Sequence, residues 1–135
     1  MTFIVRAPLP ADIVPAHRLL SENGWGRRIG SAEQFALLTC ASQRAAVAVG
    51  GGEIIGFARG ITDGLSNGYL SMVVVAPSHR RHGVGSALVR HVMGQDDRIT
   101  WVLRAGRPGA DRFFRQLGFD NSTVAMERRR GSSAG

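Results

Sequence analysis

The sequence predicts an α/β fold of the mixed, α+β kind, with one twisted mixed sheet and helices on both faces. Three observations carry this. Three runs with strand character, residues 45–49, 53–61 and 69–75, follow one another across short turns, which predicts an antiparallel meander. The last of them leads through an amphipathic stretch to another strand, so residues 69–103 read as a right-handed parallel crossover. Further helical patterns flank the strands within 135 residues, a length that suits one domain.

Taken in order, residues 2–6 are short and partly β-branched, and Pro8 and Pro10 follow, which predicts a first strand. Residues 11–22 place Ile13, Ala16, Leu19 and Leu20 on one helical face, with Pro15 early enough to be tolerated and Asn23-Gly24 as the stop. Residues 24–28 read as a loop in which Trp25 is a buried anchor. Ser31 and Gln34 form a capping box that opens a helix through residue 39. Gly50-Gly51-Gly52 turns a hairpin, and Thr62-Asp63-Gly64 and Ser66-Asn67-Gly68 carry turn chemistry. Pro77 stops the strand 69–75. Residues 83–93 put Val84, Leu88, Val89 and Val92 on one face, and residues 100–103 return as a strand. Residues 110–117 form a short helix capped by Gly118, with Phe113 and Phe114 as packing residues. Residues 124–128 read as a last strand. One domain is expected over 1–128, with 129–135 as a disordered tail.

Composition narrows the function. The chain is 44% hydrophobic and 20% charged, the balance of a folded protein. No run approaches the ~18 apolar residues of a membrane span, and no basic segment precedes an apolar one at the start, so a cytoplasmic protein without membrane contact is expected. The single cysteine, Cys40, excludes an internal disulfide and is expected to pack as a small apolar side chain. The four histidines lack ligand spacing, so no metal is expected. All 17 basic residues are arginine and the net charge is +7. Arg128, Arg129 and Arg130 account for much of it, since residues 1–127 hold 14 arginines against 10 acids, a net of +4. That excess suits a phosphorylated ligand. A nucleic-acid partner is not expected, because the chain has no recognition motif and no interleaved aromatics.

The chemistry concentrates between Val73 and Leu88. A buried strand, Val73-Val74-Val75, ends at Ala76-Pro77; a basic loop, Arg80-Arg81-His82, follows; Gly83 and Gly85 open a helix with Val84 and Ser86. Backbone N–H groups at a helix start bind anions, and glycine lets a phosphate approach. Together these groups fit a pyrophosphate. A Walker loop would need a lysine, which the chain lacks, and a dinucleotide fingerprint would need glycine where Leu88 stands.

The segment Arg80-Arg81-His82-Gly83-Val84-Gly85, after Val75-Ala76-Pro77, resembles the Arg/Gln-x-x-Gly-x-Gly/Ala motif of the GNAT superfamily of acyl-coenzyme A dependent N-acyltransferases. Downstream, Ala110-Asp111-Arg112-Phe113-Phe114-Arg115-Gln116-Leu117-Gly118-Phe119 is similar to that family's Ala-x-x-Phe-Tyr-x-x-x-Gly-Phe segment. The strand ending Gly56-Phe57-Ala58-Arg59, the Asp63-Gly64 turn and the Gly24-Trp25 loop fit as well, so the resemblance covers residues 3 to 128. It implies fourth and fifth strands that splay apart to admit the pantetheine of acetyl-coenzyme A. Backbone groups around Val73, Val74 and Val75 would hold that arm, and those from Arg81 to Ser86 the pyrophosphate. An N–H of the fourth strand would polarise the thioester carbonyl, and the primary amine of a small molecule would attack directly in a ternary complex. Relatives are often dimers, so a homodimer is compatible.

The chain departs from the family's pattern at three places. The aromatic pair usually ends in a tyrosine that protonates the leaving thiolate; here the position is Phe114, which the resemblance still places at the coenzyme A. An asparagine often found upstream is Arg107, a candidate phosphate contact. Relatives often carry an acid on the fourth strand, but this one reads Tyr69-Leu70-Ser71-Met72-Val73. Candidates for the base are Glu53, Asp63, Glu22 and a water held by Ser71. The alternative is a binding module of the same fold that holds acyl-coenzyme A without efficient turnover. An acidic acceptor pocket would favour polyamines and an apolar one an arylalkylamine.

Overall fold

The computed structural model describes residues 2–131. They fall into two compact units that divide between Arg104 and Ala105.

The first unit is an α/β sandwich on a five-stranded sheet of order β1-β2-β3-β4-β5, formed by Ile4–Arg6, Arg44–Gly50, Glu53–Thr62, Asn67–Val75 and Thr100–Leu103. The first four pair antiparallel, and β5 pairs parallel with β4. The predicted meander and crossover are therefore present. Helices α1 (Ile13–Leu20), α2 (Gly26–Ile29) and α3 (Ala32–Ala41) lead into the sheet, and α4 (Val84–Met93) forms the crossover.

Alternation along the strands sends two sets of side chains to opposite faces. Val47, Phe57, Met72 and Val74 pack with Leu19, Leu20, Ile29 and Phe35 in one core. The other face receives α4, and here the strands are thinned: a Cβ at Gly56 would stand 2.7 Å from Leu88 Cδ1 and 3.2 Å from Val84 Cγ1. Glycine at 56 thus lets α4 lie close on the sheet, with its first turn at the end of β4. Arg44 holds the far end of α4, donating to the carbonyls of Val92 (3.0 Å) and Met93 (2.9 Å), where a cation also meets the negative helix terminus.

Several local expectations are refined. Gly24 takes φ +90° and breaks α1 as read, but the residues after it wind into α2 instead of a loop. Trp25 packs partly buried against the core. The Ser31–Gln34 capping box is formed, with Gln34 N to Ser31 Oγ at 3.2 Å and Ser31 N to Gln34 Oε1 at 2.8 Å. Asn67 and Gly68 belong to β4, and the turn is confined to residues 63–66, where Asp63 accepts from the amides of Leu65 and Ser66 and Thr62 Oγ1 accepts from Gly64 N. Cys40 is exposed on α3 and not packed.

The second unit contains α5 (Ala110–Arg115), where Phe114 packs edge-on against Phe113 (4.9 Å between ring centroids) and Phe119 (5.7 Å). The strand expected over 124–128 is not formed. Ser122 Oγ instead accepts from the N–H groups of Val124 (3.1 Å) and Ala125 (2.8 Å), and Val124 and Met126 are 86% and 99% exposed. A strand needs a partner ladder, and the second unit holds none among its described residues. Residues 129–131 carry no regular structure, and residues 132–135 of the expected tail lie outside the described residues.

Candidate functional site

The end of β4 is where the sheet opens. The β4–β5 ladder runs only from Asn67↔Thr100 to Leu70↔Leu103, while β4 continues to Val75. From Ser71 onward the outer edge of β4 has no strand partner among the described residues, which is the splay that the family resemblance implied. Within this free stretch the β3–β4 register slips: Met72 and Val73 together oppose Ala58, and Met72 takes φ +57°. A left-handed non-glycine residue costs about 1–3 kcal/mol, and such outliers gather at functional sites. The bulge re-aims the backbone at the open edge. Beyond it, Ala76 N donates to Ile55 O at 2.8 Å. The N–H and C=O of Val75 must then point away from β3, toward the open side.

Val75 O is met there by Arg80 Nε at 3.1 Å, while Arg80 Nη2 reaches Asn23 Oδ1 at 3.3 Å. Asn23 in turn donates to Leu19 O at 2.7 Å. Arg80 therefore braces the loop against β4 and the α1–α2 turn. Arg81 (φ +66°) and Gly83 (φ +80°) follow in left-handed conformations, and α4 begins. The first amide to bond back is Ala87 N, to Gly83 O at 3.0 Å, so those of Val84, Gly85 and Ser86 have no acceptor within the helix. Arg81, His82 and Gly83 are exposed beside them. A Cβ at Gly83 would meet nothing within 4 Å, so glycine is demanded here by φ and not by crowding within the chain. The result is a cradle of backbone donors with positive charge at its rim, which suits a phosphate group.

The predicted residues divide by what they present. Val74 and Val84 bury their side chains (4% and 1% exposed) and can offer only backbone. Val73 and Val75 are half-buried at the open edge, and Gly85 and Ser86 lie in the first turn of α4. Phe114 and Arg107 belong to the second unit; Arg107 O accepts from Ala110 N at the start of α5.

The base candidates fare unequally. Glu53 is exposed at the β2–β3 hairpin, and Glu22 is exposed in the α1–α2 turn. Asp63 accepts from Ser66 Oγ (2.6 Å) and from the amides of Leu65, Ser66 (both 2.8 Å) and Asn67 (3.2 Å). These bonds, the Ser66 side chain's first, hold its carboxyl far below the usual carboxylate range, which makes it a turn organiser and a poor proton acceptor. Ser71 stands on β4 directly opposite Arg59.

Sequence reasoning missed Met72 and Arg59. Nothing marks Met72 as left-handed, since methionine rarely adopts that conformation. Arg59 was read only as part of a family strand, although an arginine inside an apolar strand is itself a signal. Among the described residues, no three His, Cys, Asp or Glu side chains gather as a metal would need, and no helix is long and apolar enough to cross a membrane.

Comparison with known proteins gives consistent results. Residues 41–121 match the family model described as an acetyltransferase (GNAT) domain. A protein of Xanthomonas campestris pv. campestris described as belonging to the GNAT family is similar over 96% of this chain and 94% of its own, with 26% identity and a TM-score of 0.78. An acetyltransferase of the GNAT family from Streptococcus pneumoniae has 21% identity and a TM-score of 0.71 over 95% and 98% of the two chains. A Trypanosoma brucei acetyltransferase has 22% identity and a TM-score of 0.73 over 96% and 100%. No curated protein matches the chain.

Proposed function

Because the chain belongs to the GNAT acetyltransferase family, we propose that it transfers the acetyl group of acetyl-coenzyme A to the primary amine of a small molecule, by direct attack with both substrates bound. The observation that supports this best is the juxtaposition at the end of β4. Left-handed Arg81 and Gly83 precede three amides without helical acceptors, at the close of a strand whose outer edge is unpaired.

In this reading the amides of Val84, Gly85 and Ser86 hold the pyrophosphate, with Arg81 adding charge and His82 a ring N–H. The edge groups of Val73 and Val75 hold the pantetheine arm as an added strand would be held. Acetyl-coenzyme A supplies an activated acyl group on a thiol whose pKa near ~8.5 lets it depart as thiolate near neutrality. A β4 amide at the bulge donates to the carbonyl oxygen where negative charge develops. Ser71 is the polar side chain of β4 nearest the bulge, and it holds a water that takes the amine's proton. Phe114 fills the place of an acid without donating. Residues 1–128 act as one domain in the cytoplasm.

The test is thiol release from acetyl-coenzyme A over a panel of primary amines, beside calorimetry of coenzyme A binding. Turnover with at least one amine is expected. Tight coenzyme A binding with no release on any amine would instead identify a binding module, a reading that Phe114 and the acid-free β4 favour. Absence of coenzyme A binding would overturn both.

A further inference from the structure

We propose that Arg59 is the subsite for an anionic group on the acceptor, so that the amine acetylated also carries a carboxylate or a phosphate. The proposal rests on the acetyltransferase reading above.

Arg59 lies on β3 on the same sheet face as Phe57, and it is half-buried. Its Nη1 donates to Ser42 Oγ at 3.2 Å, and Ser42 Oγ is itself committed to Leu38 O at 2.8 Å, which fixes one arm of the guanidinium. Its Nε is buried with no partner. Among the described residues, no carboxylate pairs with it. A buried donor left without an acceptor is costly, and the planar guanidinium fork matches an oxyanion. Burial lowers the pKa of Arg59, the Tyr69 phenol opposes this, and Arg28 lowers it further. Arg28 is exposed on α2 and adds to the positive potential at Arg59.

The position suits the chemistry. Ser71, the cross-strand partner of Arg59, is the first β4 residue beyond the β5 ladder. An acceptor whose anionic end rests on Arg59 therefore directs its amine across β4 toward the open edge. A cation on this strand face is the opposite of what a polyamine would need.

Three matched pairs test this: tyrosine against tyramine, β-alanine against propylamine, and phosphoethanolamine against ethanolamine. Each is titrated calorimetrically into protein saturated with coenzyme A, and each is assayed for thiol release with acetyl-coenzyme A. The anionic member of at least one pair should be favoured by about 10- to 100-fold, the range for a hydrogen-bonded charge pair. The third pair separates phosphate from carboxylate. Arg59→Gln should abolish the preference, Arg28→Gln should weaken it, and coenzyme A affinity should stay unchanged as a control on the fold. Equal binding within all three pairs overturns the subsite, as does a preference that survives both substitutions. Binding preference without thiol release would sustain the subsite and overturn the acetyltransferase reading instead.

Discussion

Arg80 Nε donates to the backbone carbonyl of Val75 across 3.1 Å, so the arginine that the sequence assigns to phosphate binding spends its side chain bracing the loop. Its second bond, to Asn23 Oδ1, ties the same loop to the turn after α1. Arg80 is thus a positioning residue for the amides of α4. Arg80→Ala should weaken coenzyme A binding by about 2- to 10-fold, the worth of an exposed hydrogen bond or two. Arg80→Lys should not rescue it, because an ammonium lacks the fork that reaches both partners. The melting temperature should barely move. A point-charge role would show the reverse, with lysine restoring affinity in calorimetry.

Gly83 offers a separation of backbone strain from ligand access. Its φ of +80° disfavours any L-residue, yet a Cβ there would touch nothing in the protein. Asparagine tolerates the left-handed region better than other side chains. Gly83→Asn should therefore fold with a loss of about 1 kcal/mol or less, while coenzyme A affinity falls at least ~10-fold if phosphate occupies the open space. Gly83→Val should lose both affinity and stability. A folded Gly83→Asn protein with wild-type affinity would remove the phosphate assignment.

The contrast between these two residues shows what was legible in the sequence. Gly83 was legible as a place of close backbone approach but not as a left-handed residue, and the apolar period of Val84, Leu88, Val89 and Val92 fixed the helix after it. The meander and crossover were legible from β-branched runs and their turns. Met72 was not legible: its φ of +57° arises from the register slip against Ala58, a pairing between two strands that no local pattern encodes. The 124–128 segment failed for the related reason that Val124 and Met126 have strand character but no ladder to join. The charge of Arg80 suggested a site residue, but its bonds to Val75 O and Asn23 could not be read, because only the folded chain brings those groups to it.

Acid sensitivity should trace to Asp12. This buried carboxylate accepts from Arg6 Nη1 at 2.6 Å and from Leu9 N at 2.7 Å. The Arg6 hydrogen bond, assisted by the Leu9 amide and opposed by burial, holds its pKa below the ordinary value. A depressed carboxylate contributes stability that is fully present above the unfolded pKa of about 3.9 and is lost as pH falls through the folded value. The melting temperature should be flat in this respect from pH 7 to 5 and decline below about pH 4. Asp12→Asn should flatten part of that acid limb and lower the melting temperature at pH 7 by about 5 °C. An unchanged acid limb in the variant would assign the effect elsewhere, Asp63 being the next carboxylate held low.

Phe114 carries the last prediction. The resemblance places a phenol at this position to protonate the departing thiolate, and phenylalanine keeps the shape without the proton. Its ring packs edge-on with Phe113 and Phe119, and the added oxygen of Phe114→Tyr replaces a hydrogen at the ring edge, so a melting curve of the variant accompanies the kinetics. If thiolate leaves unaided, and its departure limits the rate, the variant should turn over faster. The gain is bounded by the ~10²–10⁴ that acid catalysis supplies, and an off-angle hydroxyl gives less. Unaided departure also predicts no alkaline loss of rate in the wild type from a catalytic acid, whereas Phe114→Tyr should acquire one near the phenol pKa of about 10. Turnover of both proteins against pH is the measurement. A fall in rate would make Phe114 an apolar wall whose new hydroxyl lacks a buried partner. An alkaline limb already present in the wild type, and unmoved in the variant, would mean that another residue protonates the thiolate.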